Sequence, residues 1–86
     1  MSIYLVLSSA DKPDLGSHIA AVFPDESRQI SPSQWLVSAN TTAQGVGKLL
    51  GVDEGKYGRV MISLVTAYWG WHDKDLWSWI ALKEGK

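Results

Sequence analysis

The sequence predicts an α+β domain with the order β-α-β-β-α-β and a short C-terminal helix. Three observations carry this. Apolar runs at Ile3–Leu7, Gln34–Ser38 and Arg59–Trp69 have the length and β-branched or aromatic content of strands. Two stretches between them repeat their apolar residues with helical spacing. Clusters of Gly, Pro, Asp and Ser separate these segments. With 86 residues the chain is one domain. Residues 1–69 form the expected core and 70–86 a tryptophan-rich extension.

The first strand, Ile3-Tyr4-Leu5-Val6-Leu7, ends at Ser8-Ser9. Asp11-Lys12-Pro13-Asp14 opens a helix, because Pro suits the first turn and Asp11 offers a cap. Leu15, Ile19 and Val22 stand at i, i+4 and i+7 and make its apolar stripe, and Pro24 stops it. Arg28–Ser31 and Gln34–Ser38 read as two strands about Ser31-Pro32-Ser33, with Pro32 restricting the first to an edge. Thr41-Thr42-Ala43-Gln44 fits a capping box, with Thr41 as cap and Gln44 three residues on. The helix runs through Val46, Leu49 and Leu50 to Gly51. Gly45 and Gly47 inside it each cost about 1 kcal/mol relative to Ala. A turn at Asp53–Gly58 leads into a long strand, Arg59–Trp69. Asp73 then caps a helix from Lys74 to about Lys83, on which Leu76 and Ile80 share a face.

Right-handed crossovers join such elements into a four-stranded antiparallel sheet with two helices on one face, the ferredoxin-like arrangement. Alternation describes the other face. Val60, Ile62 and Leu64 oppose Met61, Ser63, Val65 and Ala67 on the last strand, and Ile3, Leu5 and Leu7 oppose Tyr4 and Val6 on the first. Both faces are apolar, whereas a solvated face alternates to polar residues. The uncovered face therefore needs a cover, either the tryptophan-bearing tail or a second subunit.

Composition narrows the function classes. Eight basic and nine acidic residues give a net charge of −1, which supplies no long-range attraction to nucleic acid or to an anionic membrane. No apolar run approaches the roughly 20 residues of a membrane span, and no charged segment precedes Ile3. The expectation is a soluble, cytoplasmic protein. Without cysteine there is no disulfide and no thiolate metal site, and His18 and His72 lack ligand spacing. No cofactor or metal is expected. A chain this short buries only about 60–65% of its unfolded surface, so self-association is the remaining stabiliser. Trp69, Trp71, Trp77 and Trp79 lie within eleven residues, and such rings collect at interfaces. The expected interface comprises Tyr4, Val6, Met61, Val65, Ala67, Trp69, Trp71 and Trp77.

The Tyr-Leu-Val first strand, the Trp-Leu-Val strand opening on a capped helix, the Val-rich last strand running into Tyr68-Trp69-Gly70-Trp71 and the closing Trp77–Ile80 helix together resemble a family. They are similar to the small SinR-like proteins of bacteria and phages, whose fold is similar to that of CRISPR adaptation endonuclease subunits and VapD-type ribonuclease toxins. The resemblance spans nearly the whole chain, through mostly apolar patterning. It implies a ferredoxin-like homodimer with no settled activity. The CRISPR-type proteins place a metal-binding aspartate at the end of the first strand. Here Ser8 or Ser9 stands there, with Asp11 two or three residues on. A hydroxyl is a poor Mg²⁺ ligand.

Other motifs fall short of chemistry. Gly45-Val46-Gly47-Lys48 is like the end of a phosphate-binding loop, but Thr42 and Leu49 break the motif. Gly55-Lys56-Tyr57-Gly58 has the form of a KH-domain loop, yet joins a helix to a strand and reads as a turn. His72 with Asp73 and Asp75 has no adjacent nucleophile. His18 reads as a half-exposed packing residue, and Asp25-Glu26 and Asp53-Glu54 as solvated pairs. The sequence thus points to a non-enzymatic, homodimeric binding or regulatory protein with a protein partner, from a phage or mobile element. The alternative is a metal-dependent nuclease or ribonuclease toxin using Asp11.

Overall fold

The computed structural model describes residues 2–67 and 74–84. Eight elements follow in order among the described residues: β1 (Ser2–Ser8), α1 (Pro13–Val22), β2 (Ser27–Ser31), β3 (Gln34–Ala39), α2 (Ala43–Leu50), a single 3₁₀ turn (Val52–Glu54), β4 (Val60–Leu64) and α3 (Lys74–Glu84). The four strands form one sheet in the order β2-β3-β1-β4, every neighbouring pair antiparallel. The fold is a small α+β domain with a four-stranded antiparallel sheet and three helices.

The pairing decides which residues share a face. Tyr4 lies opposite Val37 and Leu64, and Val6 opposite Trp35 and Ile62. These side chains meet Leu15 and Ile19 of α1 and Val46 and Leu50 of α2 in the main core. Val6, Leu15, Val37, Val46 and Leu50 are completely buried there. Tyr4 and Val6 therefore belong to the helix-covered face, not to the face carrying Met61 and Val65, with which alternation alone had grouped them. Tyr4 also donates its hydroxyl hydrogen to the Thr41 carbonyl, tying β1 to the approach to α2. The opposite face carries Ile3 and Leu36, which are buried with Leu76 and Ile80 of α3.

The helix ends differ from the sequence reading by single residues. Lys12, not Asp11, is the N-cap of α1, and no side chain caps it; Pro13 holds the first turn as expected. Thr42 rather than Thr41 caps α2, its Oγ1 accepting from the Gly45 N–H at 3.0 Å. Gly45 thus takes the third helical position and Gln44 closes no capping box. At the other end Gly51 adopts φ 73° and closes α2 onto the Gly47 and Lys48 carbonyls.

β4 is shorter than the apolar run, and its partner explains why. The β1–β4 register sets Ser8 against Val60 and Tyr4 against Leu64. Val65 still donates to the Ile3 carbonyl at 2.9 Å. Beyond it β1 has only Ser2 left to offer, so the ladder ends and the strand stops short of Trp69. Trp69, Trp71, His72 and the expected cap Asp73 lie outside the described residues. No described helix is long and apolar enough to cross a membrane.

Candidate functional site

The second face of the sheet is built from alternate residues of all four strands: Ile30 on β2, Leu36 on β3, Ile3, Leu5 and Leu7 on β1, and Met61 on β4. α3 covers one end of it. Leu76 and Ile80, one helical turn apart, are 4% and 3% exposed, and Trp77 and Trp79 are half-buried against the same cluster. A groove of about 400 Å³ remains between helix and sheet, lined by Leu5, Leu36, Val65, Ala67 and Trp77 among others.

Among the described residues, two ion pairs fasten α3 along the β2 side. Lys83 Nζ reaches Glu26 Oε1 at 3.0 Å, and Lys83 is 9% exposed as a residue. The Asp25-Glu26 turn is therefore not a solvated acidic pair, because Glu26 meets a cation 57 residues away. Arg28 donates to Asp75 at 2.9 Å. That hydrogen bond lowers the Asp75 carboxyl from its ordinary value of 3.8, helped by the guanidinium charge and opposed by desolvation. The pair is open to water, Asp75 being 71% exposed, so its contribution is small.

The other end of the face is uncovered by any described element. Met61 is 56% exposed and Leu7 is half-buried beside it, flanking a shallow depression of about 500 Å³ with Ser9, Gly58 and Arg59. Leu64, on the helix side of the same strand, is 50% exposed. β4 carries no charge between Val60 and Leu64 and forms one edge of the sheet.

The residues considered for catalysis are placed separately. Ser8 is 4% exposed, and its hydroxyl donates to the Ala10 carbonyl with the Ser33 carbonyl 3.4 Å away. It holds the turn after β1. Ser9 and Asp11 are exposed. His18 stacks on Tyr57 with ring centroids 5.9 Å apart, which fits a packing role. The ammonium of the preceding residue, Lys56, lies 5.3 Å from the centroid of the same Tyr57 ring. Among the described residues no three His, Asp or Glu side chains gather where a metal ion could be held.

Neither protein-family models, nor curated proteins, nor solved structures match this chain. The site therefore rests on its own geometry. Of the expected interface, Val65, Ala67 and Trp77 come together at the α3 groove, and Met61 stands apart at the open end of the face. Tyr4 and Val6 are covered by this chain's own helices. Leu64 and Leu7 were missed. The available signal was the strand order: a strand at the sheet's edge exposes residues of both faces, so Leu64 emerges beside Met61 although they point oppositely.

Proposed function

We propose that this chain is a non-enzymatic, homodimeric protein that binds another protein as a small regulator or inhibitor. In this reading it is ferredoxin-like and SinR-like, works in the cytoplasm and belongs to a phage or mobile element. The all-antiparallel order β2-β3-β1-β4, with α1 and α2 sharing one core, supports the ferredoxin-like assignment.

The observation that carries the self-association part of this reading is the pair of exposed apolar side chains, Met61 and Leu64, on an uncharged edge strand. A monomer gains nothing by presenting both to water, whereas a macromolecular contact buries them. The neutral balance of the chain favours a protein surface over a phosphate backbone as that contact. The nuclease alternative would need a metal at the end of β1, where the buried Ser8 hydroxyl is engaged with the Ala10 and Ser33 carbonyls. The test is solution mass together with incubation with RNA and DNA, single- and double-stranded, in Mg²⁺ or Mn²⁺. The expected result is a dimer and no cleavage. Cleavage that vanishes in Asp11→Ala would replace this reading with the nuclease.

A further inference from the structure

We infer that β4 pairs antiparallel with β4 of a second copy of this chain, about a two-fold axis at Ile62. The inference deepens the homodimer reading by naming the surface. It starts from the backbone. Ser9 donates to the Arg59 carbonyl at 3.0 Å and Val65 to the Ile3 carbonyl at 2.9 Å. In an antiparallel ladder a residue bonded to its partner directs both its N–H and its C=O at that strand, and its neighbours direct theirs away. Residues 59, 61, 63 and 65 thus face β1, and Val60, Ile62 and Leu64 face outward. No described strand lies on that side.

The two edges of the sheet are treated differently. On β2 the ladder breaks between Gln29 and Ser31, Arg28 adds charge and Pro32 follows the strand. The Gln29 side chain donates to the Ser31 carbonyl at 3.0 Å. These are the devices that keep an edge from pairing. Val60-Met61-Ile62-Ser63-Leu64 has none of them: no charge, no proline, and an unbroken register with β1.

The outward groups of β4 complement themselves in one register. With Ile62 opposite Ile62, Val60 stands opposite Leu64 of the other copy. Three donors in each of two copies then meet three acceptors, giving six N–H···O bonds and leaving no outward group of Val60, Ile62 or Leu64 unpaired. A slip of two residues leaves donors and acceptors unmatched. In the centred register the 50%-exposed Leu64 meets Val60, and the 56%-exposed Met61 meets Ser63, so both open side chains are covered. The nearest charges, the two Arg59 side chains, fall at opposite ends. Six residues of strand keep them about 20 Å apart, beyond the screening length of about 8 Å at physiological salt. A second copy therefore meets no repulsion along this edge.

The experiment combines solution mass with amide exchange and a proline substitution. The wild-type chain should have twice the monomer mass of 9.5 kDa at micromolar concentration. The amides of Val60, Ile62 and Leu64 should gain protection as concentration rises, while those of Met61 and Ser63, which face β1, stay protected throughout. Leu64→Pro removes an outward N–H that β1 does not use, and by symmetry removes two bonds of the pairing. It should raise the dissociation constant at least about 100-fold. Met61→Lys, at an exposed position, is the second variant and should weaken pairing in the same direction. A wild-type monomer would remove this inference and the homodimer reading together. A dimer that survives Leu64→Pro, or one whose Val60, Ile62 and Leu64 amides exchange freely, removes this inference alone. The exchange measurement needs no variant, so it decides the matter even if a substituted chain does not fold.

Discussion

Thr42 shows how one residue fixes the start of an element. Its hydroxyl oxygen satisfies the Gly45 N–H, one of the four donors that a helix start leaves open. Thr42→Ala should cost about 1 kcal/mol, read as a lower thermal midpoint with an unchanged helix signal. A local reading favours Thr41, because Gln44 three residues on completes a capping box that Gly45 cannot complete for Thr42. The folded chain instead engages the Thr41 carbonyl with Tyr4 from 37 positions away and caps the helix with Thr42. Glu26 was misread for a similar reason, since its partner Lys83 is distant in the chain. Glu26→Gln leaves the largely buried Lys83 ammonium without its opposing charge and should cost about 1–2 kcal/mol in chemical denaturation. Asp75 gives a pH effect of defined sign. Its carboxyl is held below the ordinary value by the Arg28 hydrogen bond, so the pair contributes fully above that value. The contribution fades as pH falls through the lowered one. Asp75→Asn should therefore lower the melting temperature slightly at neutral pH and leave it unchanged in acid, which flattens the acid limb, the effect being small because the side chain is open to water. An unaltered acid limb would show that the pair does not form in solution.

α3 is the element whose removal should tell most. Leu76 and Ile80 cover Ile3 and Leu36, and without them those side chains would meet water directly. Ile80→Ala should cost about 3 kcal/mol in denaturant unfolding. A chain ending after residue 73 should aggregate or unfold. If that chain kept its melting temperature, the helix would be a detachable appendage and not part of the body. This helix was legible in the sequence, because the spacing of Leu76 and Ile80 is local and leads to the same face. The length of β4 was not. Arg59 to Trp69 has strand composition throughout, but a strand lasts only as long as its neighbour, and β1 runs out at Ser2. The face of Tyr4 and Val6 was hidden likewise. Alternation separates odd from even positions within a strand, and only the register with β4 decides which set of one joins which set of the other.

At the scale of the whole molecule, the order of elements could be read from periodicity and turns, which are local signals, and the antiparallel sheet followed from that order by the crossover rule. The open surface could not, because exposure of Leu64 depends on β4 lying at an edge. The charge pattern makes a prediction here. With a net charge of −1 and no charged residue between Val60 and Leu64, self-association should respond weakly to salt. The dissociation constant should change less than about threefold between low and high salt, measured by sedimentation. A steep dependence would mean that the contact lies among the charged loops instead.

In the inferred β4 pairing, the unequal edges would also set where assembly stops. In the language of polymer chemistry, a monomer with one reactive end terminates at the dimer, whereas one with two reactive ends grows without limit. With β4 pairing as inferred above, the bare β4 and the guarded β2 would make this chain monofunctional, since joining two copies would consume both reactive ends. Removing the guards, by replacing Arg28, Gln29 and Pro32 with Thr, Val and Thr, should convert it into a bifunctional unit. Such a chain should elongate into fibrils visible by electron microscopy and thioflavin fluorescence, while the parent chain stays at two.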